Sequence, residues 1–439
     1  MADARPFKGI RYDSSRFGRD LTNLVCPPYD VISAEQQKAF YQKHPKNMIR
    51  LELATTDVEH DRYQQAAAAF SAWQGEGTMR PDSVPAYYAY LQAFRVEGVE
   101  RERRGLIAAM RVEAWDTRTV RPHERTLSGP KQDRLALMRA CRANFSPIWG
   151  LYRDGSGATG RLWDSIEGTQ PDMEAVDGDG VRHQVWAVSE HSLVYDVQQM
   201  FSREPVYIAD GHHRYETALH FRDQVHAEAV GWSEDAAANF AMTYLVDSAD
   251  PGLVVLGTHR VISSPRPLDP VTFRGTLERW LEVEDHGGSP SEILESVEAE
   301  LGWPAFGVWA PSLGLALVAR ARDVSGVPLE LSGAHSDAWR RLDLAVLHTL
   351  AVDQLFLEGT TALSEAGHVE YSRSLDEVER RILSGEADVA FLARRTPVDH
   401  VLAVADAGDL MPEKSTYFFP KPVSGMVIGS LDGEIPSSE

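Results

Sequence analysis

The sequence predicts an α+β fold of mixed sheets with additional small α+β layers. Strand-like runs fall in neighbouring pairs, at 86–94 with 106–112 and at 305–310 with 313–320. Helical periods at 271–281 and 291–301 stand beside the second pair, so that strands and helices alternate there as a small α+β layer. A buried strand at Pro205–Ala209 runs through Asp210-Gly211 directly into a helical stretch.

From the N-terminus, Phe7–Tyr12 reads as a short strand, and Cys26-Pro27-Pro28-Tyr29-Asp30 as a rigid extended turn, because each proline fixes its own φ and disfavours helix before it. Ser33 with Gln36 three residues on forms a capping box for a helix running to about His44-Pro45. Met48–Leu53 alternates apolar and polar side chains, which predicts a half-buried strand with Arg50 and Glu52 on one face, and a helix is expected over 59–75. A polar hairpin at 97–104 joins the first strand pair. The segment 121–131 packs charge, glycine and proline into a loop, followed by a helix from Asp133 to Arg142. Two glycine- and acid-rich stretches, 154–160 and 168–180, read as solvated loops. The prolines of 263–270 mark a boundary. A helix over 339–357, a strand, a helix at 374–384, a strand at 387–393 and a loop at 411–421 complete the chain.

The 439 residues exceed one core, and 43% hydrophobic with 25% charged side chains is ordinary globular usage. With 65 acidic against 44 basic residues the net charge is −21, which repels phosphate backbones and anionic headgroups, so neither nucleic acid nor a membrane is expected as a partner. Cys26 and Cys141 form no CxxC pair and read as inert buried thiols, with neither a disulfide framework nor a thiolate zinc site. The N-terminus has no apolar signal segment and no window is long enough to span a bilayer, so a cytoplasmic location is expected. Oligomeric state is not legible.

The turn Asp210-Gly211-His212-His213-Arg214 has the chemistry of an anion site. A helix start leaves backbone N–H groups without intrahelical partners and carries partial positive charge, and Gly211 allows close approach. His212, His213 and Arg214 add donors where capping alone favours acids, while Asp210 either caps the helix or holds a magnesium ion. The alternative is an ordinary capped helix with solvent-facing histidines. Zinc fits poorly, since adjacent helical histidines diverge and His123-Glu124 lacks the second His of HExxH. Glu124 and Lys131 flank Ser128-Gly129, and Lys131 could hold phosphate as a point charge, although no GxxxxGK[ST] run makes this a P-loop. Lys414, Ser415, Thr416 and Lys421 pose the same choice between a phosphate loop and a solvated one. Asp30 is either a rigidly held general base or a turn cap, and Glu52 either an acid of the site or a strand-surface charge. Neither GxGxxG nor GxSxG occurs.

Five stretches together, Val25–Ile32, Asn47–Leu53, Glu124–Lys131, Tyr207–Arg214 and Met411–Phe418, resemble the signature runs of the domain-of-unknown-function 1015 family over nearly the whole chain. The DGHHR turn also resembles the phosphate-binding turn of the ParB/sulfiredoxin fold, whose members include free-serine kinases, over residues 7–53 and 205–262. This second resemblance implies a ParB/sulfiredoxin-like nucleotide-binding region at 1–262 with an insertion at about 54–204. A small α+β region at 263–340 would follow, then a C-terminal α+β region at 341–439 that returns a basic loop to the site. It implies a nucleotide-dependent phosphotransferase acting on a small hydroxyl metabolite such as free serine, with ATP or ADP as donor and magnesium at Asp210. Asp30, Glu52 and Glu124 are then the candidate catalytic acids. Asp210 to Arg214, Lys131, Lys414, Ser415, Thr416 and Lys421 are the phosphate-binding set. A regulatory protein that senses nucleotide without turnover is the alternative. Sulfiredoxin chemistry is excluded because His212 stands where its cysteine is required, and ParB-like DNA segregation conflicts with the charge.

Overall fold

Glu97 and Gly98, with φ of 51° and 77°, close a long β-hairpin. Positive φ at both central residues is what a type I′ turn needs, and its twist matches that of the strands it joins. The strands therefore run through the polar residues expected as loop. The computed structural model describes every residue except 57–60, 127, 357, 358, 438 and 439 and the side chains of 128–130. The chain divides into two units. The first contains Met1–Pro122, Thr126–Leu253 and Pro420–Glu439, and the second His123–Arg125 and Val254–Phe419. The α+β class holds in both.

The first unit is organised by a nine-stranded mixed sheet. Its strands are Ala4–Arg5 (β1), Tyr87–Val96 (β2), Val99–Arg111 (β3), Val120–Arg121 (β4), Ile148–Tyr152 (β5), Met173–Val176 (β6), Arg182–Val188 (β7), Val206–Asp210 (β8) and Phe240–Asp247 (β9). They are ordered β4-β8-β5-β9-β3-β2-β7-β6, with β1 beside β3. The pairs β4 with β8 and β5 with β9 are parallel and the rest antiparallel. Period-two side chains of β3, Leu106, Ala108 and Met110, face a core completed by Val197 and Phe201 and by Tyr215, Ala218 and Phe221. The helices of this unit include Ala34–Lys43 (α1), Ile49–Glu52 (α2), Arg62–Gly75 (α3), Ser128–Cys141 (α4) and His212–Glu228 (α5). The Ser33 and Gln36 capping box of α1 is present as expected.

The second unit carries a six-stranded antiparallel sheet with apolar cores on its two faces. The proline-rich segment 263–270 lies inside this unit, and the chain passes from the first unit to the second at Leu253–Val254.

Several local expectations are corrected. Met48–Leu53 is no strand: Ile49–Glu52 is a single helical turn, set up by Asn47, whose side-chain oxygen accepts from Ile49 N at 2.9 Å while its amide donates to the carbonyls of Asn23 and Val25. Four residues are shorter than the window in which alternation and helical period can be told apart, and the local Asn cap decides. Arg50 and Glu52 consequently do not share a face, and Glu52 is 2% exposed. The helix after the 121–131 loop begins at Ser128, so Lys131 belongs to its first turn; Leu127 and the start expected for α3 at 59–60 lie outside the described residues. Within 168–180 the chain forms β6 on the sheet edge. The helix expected over 339–357 is broken at Arg340, whose carbonyl accepts from Val327 N at 2.9 Å, and it continues as a π-helical turn at Leu347–Val352. No helix among the described residues is long and apolar enough to cross a membrane.

Candidate functional site

The apolar run Val206-Tyr207-Ile208-Ala209 buries β8 up to Asp210, where the strand ends and the chain must turn into α5. Gly211 makes that turn with φ +91° and stands at the helix N-cap without any side-chain cap. Asp210 therefore does not cap α5. Its Oδ2 accepts from Arg214 Nη2, one helical turn on, and its Oδ1 lies 2.8 Å from Lys421 Nζ. Lys421 also donates to Asp30 Oδ2, so one ammonium joins the acid of the Pro27-Pro28 turn to the acid that ends β8.

This is a partly desolvated ionic chain, with side-chain exposures of 9% for Lys421 and 21% for Asp210. Burial alone would raise the Asp210 carboxyl, but the charges of Lys421 and Arg214 outweigh it and hold the group well below the usual carboxylate range. Burial works against the Lys421 ammonium too, yet Asp210 and Asp30 push it up. The same competition, burial against Asp210 and Asp30, raises Arg214. Arg214 folds over Gly211: a Cβ built there would lie 2.9 Å from its Nε. The missing side chain thus makes room for the guanidinium. His212 is buried, which removes the solvent-facing alternative for that residue, and His213 is half-buried.

A second set of charges adjoins the first through Arg214. Glu52 Oε1 accepts from Arg134 Nη1 at 3.3 Å and from Ser146 Oγ at 2.5 Å, and its backbone carbonyl accepts from Arg134 as well. The Arg134 guanidinium lies 4.1 Å from the centre of the Tyr29 ring. Arg134 and Ser146 were not legible as site residues, because nothing in their own sequence neighbourhood distinguishes them and only tertiary contact brings them to Glu52.

The remaining candidates lie elsewhere. Lys131 donates to Glu216 Oε2 at 2.7 Å and to Thr126 at 3.1 Å, tying the start of α4 to α5 one turn past the DGHHR residues. Glu124, Lys414, Ser415 and Thr416 belong to the second unit. There Met411 N donates to His123 O at 2.8 Å, and His123 Nε2 lies 2.9 Å from Thr416 Oγ1. Ser415 donates to Pro412 O, and exposed Lys414 sits at φ 54° with its carbonyl accepting from buried Arg260. Cys26 and Cys141 are buried thiols pushed up by desolvation, Cys141 to about 12.

Among the described residues no group of three or more His, Cys, Asp or Glu is arranged to hold a metal. Both oxygens of Asp210 are engaged by cations, so a magnesium ion bound there would share them with Arg214 and Lys421 or displace one of the two.

Among curated proteins nothing matches this chain. A conserved hypothetical protein from Pyrococcus furiosus is similar in structure at 15% identity and TM-score 0.35, covering 75% of this chain and 95% of its own. A free serine kinase in complex with AMP is similar at 14% identity and TM-score 0.35, covering 72% and 86%. SbnI from Staphylococcus aureus, with a C-terminal truncation, is similar at 11% identity and TM-score 0.32, covering 73% and 86%. Residues 4–344 match the family described as protein of unknown function (DUF1015), and to that family the chain belongs.

Proposed function

We propose that the first unit binds the phosphates of a nucleotide, ATP or ADP, at the Gly211 turn and transfers a phosphoryl group to the hydroxyl of a small metabolite. The observation that carries this reading is the Asp30–Lys421–Asp210–Arg214 chain at the start of α5. Phosphoryl transfer is largely positioning and charge neutralisation, and this corner supplies a helix N-terminus that opens on a glycine, together with two cations. When phosphate arrives, Lys421 turns its ammonium from Asp30 to the anion, and the released Asp30 carboxylate accepts the proton of the substrate hydroxyl as the hydroxyl oxygen bonds to the terminal phosphorus. The bridging P–O bond breaks, and the nucleotide leaves one phosphate shorter with that electron pair. Arg214 stays on Asp210 and faces the phosphate with its remaining edge. With this reading goes a ParB/sulfiredoxin-like core around β8 and α5, for which the support is the strand, left-handed glycine and helix in direct succession.

The pairing of Asp30 with Lys421 also favours a second reading, in which nucleotide binding merely rearranges this ionic chain and the protein senses it without turnover. Calorimetry with ATP, ADP and pyrophosphate, followed by an NMR assay for nucleotide conversion with a mixture of small alcohols and amino acids, separates the two. Binding with conversion supports the transferase, binding alone supports the sensor, and no binding removes both.

A further inference from the structure

Glu52 is 2% exposed, and of its two carboxylate oxygens only Oε1 is hydrogen-bonded; Oε2 is buried without a hydrogen-bond partner among the described residues. Leaving a buried carboxylate oxygen unmet is costly, so it marks a place where a donor is missing. Glu52 lines a pocket of about 40 Å³ within the first unit, whose walls also include Arg134, Ser146, Phe145, Ala241 and Arg214. That is room for about three water-sized groups.

The polar side chains nearest Glu52 are engaged with other partners. Arg134 is spent on Glu52 and on Asp133, Arg214 on Asp210 and the Pro147 carbonyl, and Ser146 on Glu52. Glu52 Oε2 is the buried acceptor left without a donor, so the ligand group that completes it is a donor. A ligand carboxylate would meet Oε2 as a like charge. Arg214 belongs both to this pocket and to the Asp210 pair, which puts the pocket beside the anion turn.

We infer that this pocket binds the non-reacting end of the acceptor substrate, a short aliphatic alcohol bearing a second hydrogen-bond donor, ammonium or hydroxyl, which Glu52 Oε2 receives. Its role as a substrate pocket rests on the phosphotransferase reading, whereas its binding preference does not. Glu52 is then a specificity-determining residue and Asp30 remains the base.

The test is ligand-observed NMR on the full chain with ethanolamine, ethylene glycol and glycolate as probes. Ethanolamine and ethylene glycol should bind with dissociation constants on the order of millimolar, the range open to four heavy atoms, and glycolate should not. Glu52→Gln, nearly isosteric, should weaken ethanolamine at least tenfold, and Ala241→Leu, which fills the pocket without touching the carboxylate, should abolish both signals. Should Glu52→Gln fail to fold, Ala241→Leu and the glycolate comparison still decide. Equal binding of glycolate, unchanged binding in the variants, or a crystal showing a fixed water only on Oε2 with no probe bound would overturn the inference. Nucleotide calorimetry on the same samples keeps the two readings apart. Probe binding without nucleotide binding sinks the transferase and leaves the pocket, and the reverse result sinks the pocket alone.

Discussion

Lys421 Nζ and Asp210 Oδ1 lie 2.8 Å apart, and the same ammonium donates to Asp30. A charge that is only 9% exposed is held there by two carboxylates, and removing it leaves both without their shared partner. Lys421→Met should destabilise the chain by about 2–4 kcal/mol in urea unfolding, below the roughly 3–5 kcal/mol for breaking a fully buried pair because Asp30 is 35% exposed. Pyrophosphate binding should fall at least tenfold in calorimetry. A stable variant that binds pyrophosphate as before would take Lys421 out of the site.

The same pair sets the pH profile. The folded-state value of Asp210 lies below its unfolded one, so its contribution is present above about pH 4 and is lost as pH falls through the folded value. Lys421 is shifted upward, so its contribution is full below about pH 10 and is lost as pH rises through its folded value. Stability of the wild type should be level between about pH 5 and 9 as far as these two groups are concerned. In Lys421→Met the alkaline fall should vanish and the acid one flatten. Urea midpoints across pH 3 to 11 read this directly.

How much of this was legible depended on scale. The β8 turn could be read because a buried apolar strand, a glycine and a helical period follow one another within a dozen residues, and each signal is local. Asp30 could be picked from its prolines, and Lys421 from a basic residue in a proline- and aromatic-rich loop. Their joining through one ammonium could not, since residues far apart in sequence meet only through the sheet. Met48–Leu53 failed for the opposite reason: its pattern was local but shorter than one reading window, and Asn47 decided the outcome. Glu52, expected on an open strand face, is buried for the same reason.

Gly211 is the position least open to substitution. Its φ of +91° disfavours any L side chain, and a Cβ would stand 2.9 Å from Arg214 Nε and 3.1 Å from Cζ. Gly211→Ala should cost about 1–2 kcal/mol from backbone strain and should push Arg214 away from Asp210. Gly211→Val should lower pyrophosphate affinity more than Arg214→Ala does, because it disturbs both the approach and the guanidinium. Calorimetry on both folded variants tests the order.

In the second unit, the Arg260 guanidinium is fully buried and donates from Nε to His348 Nε2 at 3.1 Å, with Glu413 and Lys414 carbonyls accepting from Nη2. Burial, reinforced by this neighbouring charge, lowers His348 well below its ordinary value and His259 from 6.5 to about 4. A histidine with a depressed folded value stabilises above its unfolded pKa and loses that contribution as pH falls. For His259 the loss between pH 6.5 and 4 amounts to about 3 kcal/mol. Hydrogen exchange at pH 7 and pH 5 should therefore show the second unit opening first on acidification. Replacing His348 by Gln, which cannot be protonated, should reduce the difference. Equal protection of both units at pH 5 would refute this.

The last prediction separates base from binding. Asp30 is exposed, lies in the short 3-10 turn that follows Pro28, itself at φ −64° and ψ 153°, and shares Lys421 with Asp210. Asp30→Asn preserves shape and removes basicity. It also frees Lys421 from one of its two carboxylates, so anion binding should stay within a few-fold of wild type or tighten slightly, while turnover should fall about 10²-fold or more. Glu52→Gln should behave differently, raising KM for the alcohol and changing kcat less, since Glu52 is buried with Arg134 and Ser146 rather than beside Lys421. Glu124→Gln serves as the third arm, because Glu124 belongs to the second unit. If turnover survives in Asp30→Asn and disappears in Glu52→Gln or Glu124→Gln with nucleotide binding intact, the proton is taken by another acid and the phosphate turn still stands.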